Sequence, residues 1–358
     1  MKRFDHGYAL LIAVNESAAS RVALPDVIKD ATALRDVLVH GGRCAYAPNN
    51  VKLLHGKSCT RKGITQGLDW LREKLNADKS GEATALIYFT GHGHTEGGKY
   101  WLIPYDFNRD RIKTSALRAE DFADEVAALQ PRRLLALFDC CHAAGMGVKN
   151  LPVDAPFHRA GVPPALFMRG ETPIKKGAGA KGLNALNALA RGDGRAVLNS
   201  CRATEQSWIR KDRSMSIFTY HLIEALTGHA QPQNGAREVL VSDIISYVDR
   251  RVPPSAQSDW QAEQHPWCES SGTFPVALLL GGKGLHAGER APDPLAVLVG
   301  QGVVTTQYYA NQIGDGATAQ GENAKAAAKR AVLIGGNHSG DINTGSQVII
   351  GRPRRKRN

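Results

Sequence analysis

Short, wholly apolar runs alternate along the chain with stretches whose apolar residues recur every three or four positions. Tyr8 to Val14 is apolar throughout, as in a strand covered on both faces. Asn15 to Lys29 reads as a loop. Asp30 opens a predicted helix with Leu34, Val37 and Leu38 on one stripe, and Gly41-Gly42 stop it. Val51 to Leu54 is a second strand. Thr60 is placed to cap a helix in which Ile64, Leu68, Leu71 and Leu75 recur at helical spacing. A strand from Ala85 runs into His92, followed by the Tyr100–Pro104 segment, a helix near Asp121 to Leu129, and a strand from Arg133 that reaches Cys141. Alternating strand and helix predicts an α/β fold: a mainly parallel, six-stranded sheet with helices on both faces.

From Lys149 to Arg191 the rhythm stops. This stretch is rich in Pro, Gly, Ala and basic residues, as in Gly161-Val-Pro-Pro164 and around Lys175-Lys176, and is read as a long functional loop. The sheet resumes at Ala196 to Ser200. Helices are expected from about Ser216 to Leu226 and from Ser242 to Val252, with Phe274 to Leu280 as the last strand. Beyond Gly282 the composition changes again. Pro292 and Pro294 mark a linker over 283–299, and 300–358 is a Gly/Asn-rich appendage with short β-branched runs. Its segment Ala331 to Ile350 reads as a tail, a small hairpin, or a self-templating β-arch resembling the amyloid-like signalling motifs appended to bacterial effectors.

Length and composition narrow the class. The 358 residues suffice for one large domain plus an appendage, and 42% hydrophobic with 22% charged residues fits a globular protein. No apolar run is long enough for a membrane helix, and Met1 to His6 leads straight into a strand without a secretory pattern, so a cytoplasmic location is expected and no membrane partner. Six cysteines in a chain of this size suggest no disulfide framework. Part of the net charge of +11 sits in the tail Arg352 to Arg357. Without interleaved aromatics this tail offers bases no stacking platform, and nucleic acid is not the expected partner.

The candidate chemistry lies where two strands end. One delivers His92 between Gly91 and Gly93; the other delivers Asp139, Cys140, Cys141 and His142 into small residues and Gly145. A thiol needs a neighbouring base or a lowered pKa to attack a peptide carbonyl near neutral pH. The segments Tyr88-Phe-Thr-Gly-His-Gly93 and Phe138-Asp-Cys-Cys-His142 resemble the caspase-like cysteine peptidases, in particular their metacaspase and bacterial branch. Thr90 stands where that branch usually has Ser, and Ala143-Ala144 precede Gly145. Ser200 to Ser207 and Ile217 to Tyr220 resemble the family's small-subunit region.

The resemblance implies a peptidase domain over 1–282, made of a large-subunit-like part (1–148), an inter-subunit linker (149–191) and a small-subunit-like part (192–282). It implies Cys141 as nucleophile, His92 as base and later acid, and the N–H groups of Gly93 and Cys141 as the oxyanion hole. Cys140, on the opposite face of an extended strand, is read as packing. The basic-specific branch uses two carboxylates to hold an Arg or Lys side chain, which Asp139 and Asp30 match; Asp26 lies close enough to compete, and Asp30 could instead cap its helix. Cleavage of the linker after Arg169, Lys175, Lys176, Lys181 or Arg191 would mature a zymogen, by self-cleavage or an activating protease. The expected activity is a regulated prokaryotic effector or signalling endopeptidase cutting proteins after Arg or Lys. An upstream sensor and self-assembly through the C-terminal segment are the further partners weighed, and bacterial defence the setting. A caspase-fold scaffold that works by assembly is the alternative, and another thiol hydrolase or transferase a third. Cys-Cys-His and His92-Gly-His94 lack structural zinc spacing. Calcium activates parts of the family; no Asp-x-Asp-x-Asp-Gly loop is present to hold it, and calcium stays open as a cofactor.

Overall fold

Five parallel strands and one antiparallel edge strand form the central sheet. β1 (Gly7–Ala13), β2 (Val51–His55), β3 (Thr84–Gly91), β7 (Arg133–Cys140), β8 (Arg195–Asn199) and β10 (Trp267–Ser270) are ordered β10-β8-β7-β3-β1-β2, with only β10 antiparallel to its neighbour. The computed structural model describes residues 3–18, 24–96, 99–140, 180–202, 205–230 and 236–280. The 283–299 linker and the 300–358 segment, with its β-arch reading, lie outside them.

Strand alternation sorts the core into two layers. Ala9, Leu11, Leu86, Tyr88, Leu135 and Leu137 face one side, where α1 (Val27–Val39), α6 (Ile217–Glu224) and α7 (Val241–Trp260) pack. Leu10, Ile12, Ile87, Phe89, Ala136 and Phe138 face the other, under α2 (Arg61–Ala77), α4 (Ala119–Ala127) and α5 (Ala180–Asn187). Thr60 caps α2 by accepting from the Gly63 N–H at 2.9 Å. Between β3 and α4 the chain forms a small antiparallel sheet of β4 (Gly93–Glu96), β5 (Lys99–Leu102) and β6 (Leu117–Arg118), and the one-turn helix α3 (Ile112–Ser115).

Four expectations need correction. α1 begins at Val27, not Asp30: Asp26 is its N-cap but makes no side-chain cap, because its carboxylate is taken by Lys29 at 2.9 Å and Arg213 at 2.8 Å. The stretch read as loop up to Arg191 contains α5 and a 3-10 turn at Ala188–Ala190, which bury Leu186 and Leu189 against the sheet. The predicted last strand shortens to β11 (Pro275–Leu278) and pairs with β9 (Glu238–Leu240) in a separate two-stranded sheet; the sixth main strand is β10. Finally, α7 runs through Pro253-Pro254 to Trp260, eight residues beyond the predicted stop at Val252. Each proline removes one helical hydrogen bond, and the buried stripe of Val248, Val252 and Ala256 carries the helix past them.

Candidate active site

The tips of β3 and β7 lie side by side. Their parallel register pairs Phe89 with Phe138, Thr90 with Asp139 and Gly91 with Cys140; the next residues in the sequence are His92 and Cys141. His92 is 8% exposed and joins β3 to β4; its carbonyl accepts from the Ile103 N–H at 3.1 Å. At Gly91 a Cβ would meet Val14 Cβ at 3.1 Å, so the glycine lets β1 and β3 close up directly beneath His92. Gly93 opens β4 opposite Leu102. Cys141 itself, with His142 and Gly145, lies outside the described residues.

Alternation separates the two residues before Cys141. Cys140 turns into the layer with Phe89 and Tyr100; it is fully buried, with its Sγ 3.3 Å from the Tyr100 hydroxyl. Asp139 turns to the other layer and is fully buried as well. A buried carboxylate needs donors, and it has a set of hydroxyls. Ser207 Oγ donates to Oδ1 at 2.7 Å. Ser216 Oγ at 2.5 Å, Thr219 Oγ1 at 2.7 Å and the Tyr88 hydroxyl at 3.4 Å reach Oδ2. Asp30, 2% exposed, comes to the same place from α1 and accepts from the Ser216 N–H at 2.8 Å. The two carboxylates picked out in the sequence therefore converge on one residue, while Asp26 is turned outward to Arg213 and Lys29. Burial pushes the Asp26 pKa up, and the bonds from Arg213 and Lys29 overcome this and hold it below the ordinary carboxylate value.

Ser216 closes a tight hairpin. Ile209 bridges Ser216 across it, Arg210 N–H donates to the Met215 carbonyl at 2.9 Å, and Arg213 takes a left-handed conformation at its tip. Its base is fixed by Gln264, fully buried, which accepts from Trp208 N–H at 3.0 Å and donates to the Ser200 carbonyl at 2.9 Å. Trp208 stacks on Trp260 at 6.0 Å, and the Arg210 guanidinium lies 3.9 Å over the Tyr220 ring. Ser216 is also the N-cap of α6, accepting from the Thr219 N–H at 3.0 Å. Helix, hairpin and carboxylate thus share one hydroxyl. Sequence reasoning missed Ser207, Ser216, Thr219 and Tyr88 as site residues. The signal available was the N-cap pattern at Ser216.

Other thiols are poor nucleophile candidates. Burial pushes Cys44, Cys59 and Cys268 up to about 12. Among the described residues no three His, Cys, Asp or Glu side chains gather as a metal site, and no helix is long and apolar enough to cross a membrane. Of the basic residues named for processing, Arg191 is exposed just before β8 and Lys181 falls within α5. Arg169, Lys175 and Lys176 lie outside the described residues.

The chain matches the caspase-domain family model over residues 6–276. No curated protein matches it. Among solved structures it is similar to caspase-1 from Spodoptera frugiperda, at 16% identity over 79% of this chain and 92% of that one, with a TM-score of 0.45. It is also similar to pro-sf-caspase-1, at 14% identity over 79% and 93% with a TM-score of 0.42. The family match spans both strand tips and the Ser216 hairpin, and the chain belongs to the caspase-domain family of cysteine peptidases.

Proposed function

We propose that this chain is an endopeptidase of the metacaspase-like branch that cuts proteins after Arg or Lys through a His92–Cys141 dyad. The observation that carries the reading is the register of Gly91 with Cys140. Strands about 4.8 Å apart end level with each other at Gly91 and Cys140, and the next residues in the sequence are a histidine and a cysteine. The Cys141 thiolate attacks the scissile carbonyl, and the N–H groups of Gly93 and Cys141 hold the oxyanion. His92 takes the thiol proton and returns it to the leaving amine, after which water releases the acyl group.

The pairing of Asp30 and Asp139 around Ser216 supports a basic residue before the cut. Ser207, Ser216, Thr219 and Tyr88 bring neutral hydroxyls to Asp139. A guanidinium or ammonium reaching it exchanges one of them for a charge-assisted bond, roughly twice as strong. Arg210 and Arg213, the two arginines on the hairpin, are held elsewhere, by the Tyr220 ring and by Asp26. A substrate aspartate would meet two carboxylates.

The linker reading follows from this specificity. Arg191 is exposed on the short turn between the Ala188–Ala190 segment and β8, so an enzyme preferring Arg or Lys meets a bond in its own chain. Cleavage there or at the other linker sites would leave two fragments joined through the pairing of β7 with β8.

Affinity labelling tests the assignment. Chloromethyl ketones ending in Arg should add one mass increment at Cys141, those ending in Asp should add none, and Cys141→Ala should remain unlabelled. Labelling at Cys140, or preferential labelling by the Asp reagent, contradicts the proposal.

A further inference from the structure

At the end of the sheet away from His92 lies a cavity of about 620 Å³, within the range of small-molecule sites. Its inner wall is apolar: Val126 of α4, Leu134 of β7, and Ala188 and Leu189 following α5. Its mouth carries Arg191 and Arg195. Arg195 Nη1 donates to the Pro131 carbonyl at 2.7 Å, and among the described residues neither guanidinium has a carboxylate partner. A third arginine, Arg132, stands close by. Its own acid, Asp193, is 3.3 Å away and largely exposed, which leaves that pair weak. Burial and the nearby Arg132 both push the Arg195 pKa down from its ordinary value. Like charges held together at a half-buried mouth cost free energy unless an anion joins them.

We infer that this cavity binds a small amphiphilic carboxylate, its acyl or aryl body on the Val126–Leu134–Leu189 wall and its charge between Arg191 and Arg195. The ligand is an effector and not a substrate. From Leu134 to Cys140 is six residues of strand, about 20 Å, so the cavity and the catalytic tips occupy opposite ends of β7. The site touches the linker instead: Ala188, Leu189 and Arg191 lie on the segment that leads into β8. A bound anion ties them to α4 and covers the Arg191 side chain that a protease must read. Asp124 and Asp193 are also on the lining; Asp193 is turned to Arg132, while Asp124 makes no ion pair among the described residues and is the acid that opposes the anion most directly.

The test uses the full chain with Cys141→Ala, so that no self-cleavage intervenes, and octanoate as probe. Octanoate should bind by calorimetry, raise the thermal midpoint and slow trypsin at the Arg191–Gly192 bond. Arg195→Gln should weaken binding by about tenfold, the worth of one charge-assisted bond, and Asp124→Asn should tighten it. Arg191→Gln, on an exposed side chain with no ion pair among the described residues, should weaken binding without moving the midpoint of the free protein, and decides the matter if Arg195→Gln does not fold. Octylamine binding as well as octanoate overturns the charge assignment, and inorganic phosphate binding as well overturns the apolar half. Unchanged octanoate affinity in Arg191→Gln, or no octanoate binding, overturns the site itself. These readouts do not depend on peptidase specificity, so they stand or fall separately from the Arg/Lys reading.

Discussion

The hydroxyl of Ser216 donates to the buried carboxylate of Asp139 at 2.5 Å, while the backbone N–H of the same serine donates to Asp30 at 2.8 Å. Asp139 therefore holds α6 and the hairpin in place, and under the proposed function it also presents charge to a substrate. Asp139→Ala should lose both, because it leaves the hydroxyls of Ser207, Ser216 and Thr219 without their acceptor, at about 1–3 kcal/mol for each one that stays unsatisfied. Asp139→Asn keeps an acceptor and removes the charge. The expected result is an Asn variant that melts close to the parent yet cleaves after Arg at least about tenfold more slowly, mainly through KM. An Asn variant as active as the parent would remove Asp139 from substrate binding.

The two adjacent cysteines should behave in opposite ways. Cys141→Ala and His92→Ala should each abolish turnover while leaving the fold intact. Cys140→Ala removes a buried sulfur beside Tyr100 and should lower stability by about 1 kcal/mol, the scale of a small core truncation, while leaving most of the activity. Kinetics and denaturant unfolding on the three variants check this; an inactive, well-folded Cys140→Ala would reverse the assignment.

A second buried network should make stability depend on pH. The Glu224 carboxylate accepts from the Tyr247 hydroxyl at 3.0 Å and meets His221 Nδ1 at 2.5 Å, and the other nitrogen of His221 meets Ser255 Oγ at 2.7 Å. Burial pushes the Glu224 pKa up, but the His221 and Tyr247 contacts overcome it and hold the pKa below the ordinary carboxylate value. A depressed folded-state pKa stabilises the protein above the unfolded-state value, and this contribution is lost as pH falls through the folded-state value. Glu224→Gln should thus cost about 1–3 kcal/mol at pH 7 and progressively less toward pH 3. Urea titrations of both proteins at several pH values measure it. A difference that does not shrink with acid would place the role of Glu224 in packing alone.

The regular parts of the fold were legible in the sequence because apolar residues mark them. β1, β3 and β7 are unbroken apolar runs, and Ile64, Leu68, Leu71 and Leu75 announce α2. What stayed hidden had no such mark. β10 is Trp-Cys-Glu-Ser at an edge, where only one neighbour pairs with it. α5 follows a Gly- and Lys-rich stretch and is anchored by the buried Leu186. At the site, Asp139 and His92 stood out through short motifs at strand tips and Asp30 through its place near the start of the first helix, whereas Ser207, Ser216 and Thr219 are brought to Asp139 by the hairpin and α6. A hydroxyl has no periodicity, and its partner is fixed only by the fold.

A chain ending after Gly282 should fold. The last described hydrogen bonds from the C-terminal strand region are Leu279 N–H to the Arg237 carbonyl at 2.9 Å and Leu280 N–H to the Arg43 carbonyl at 3.3 Å, so among the described residues every paired strand is complete by then. Residues 1–282 should show one cooperative melting transition and basal peptidase activity. A truncated chain that fails to fold would place part of 283–358 in the core. Dye binding by an isolated 331–351 peptide tests the β-arch separately.

The most direct test of the account is the ratio of kcat/KM for a fluorogenic peptide ending in Arg to that for the same peptide ending in Asp, measured beside Cys141→Ala. The account predicts cleavage after Arg, less than a hundredth of that rate after Asp, as expected from meeting two carboxylates instead of one charge-assisted bond, and none in the variant. Preferred cleavage after Asp, or cleavage that survives loss of the Cys141 thiol, would contradict it.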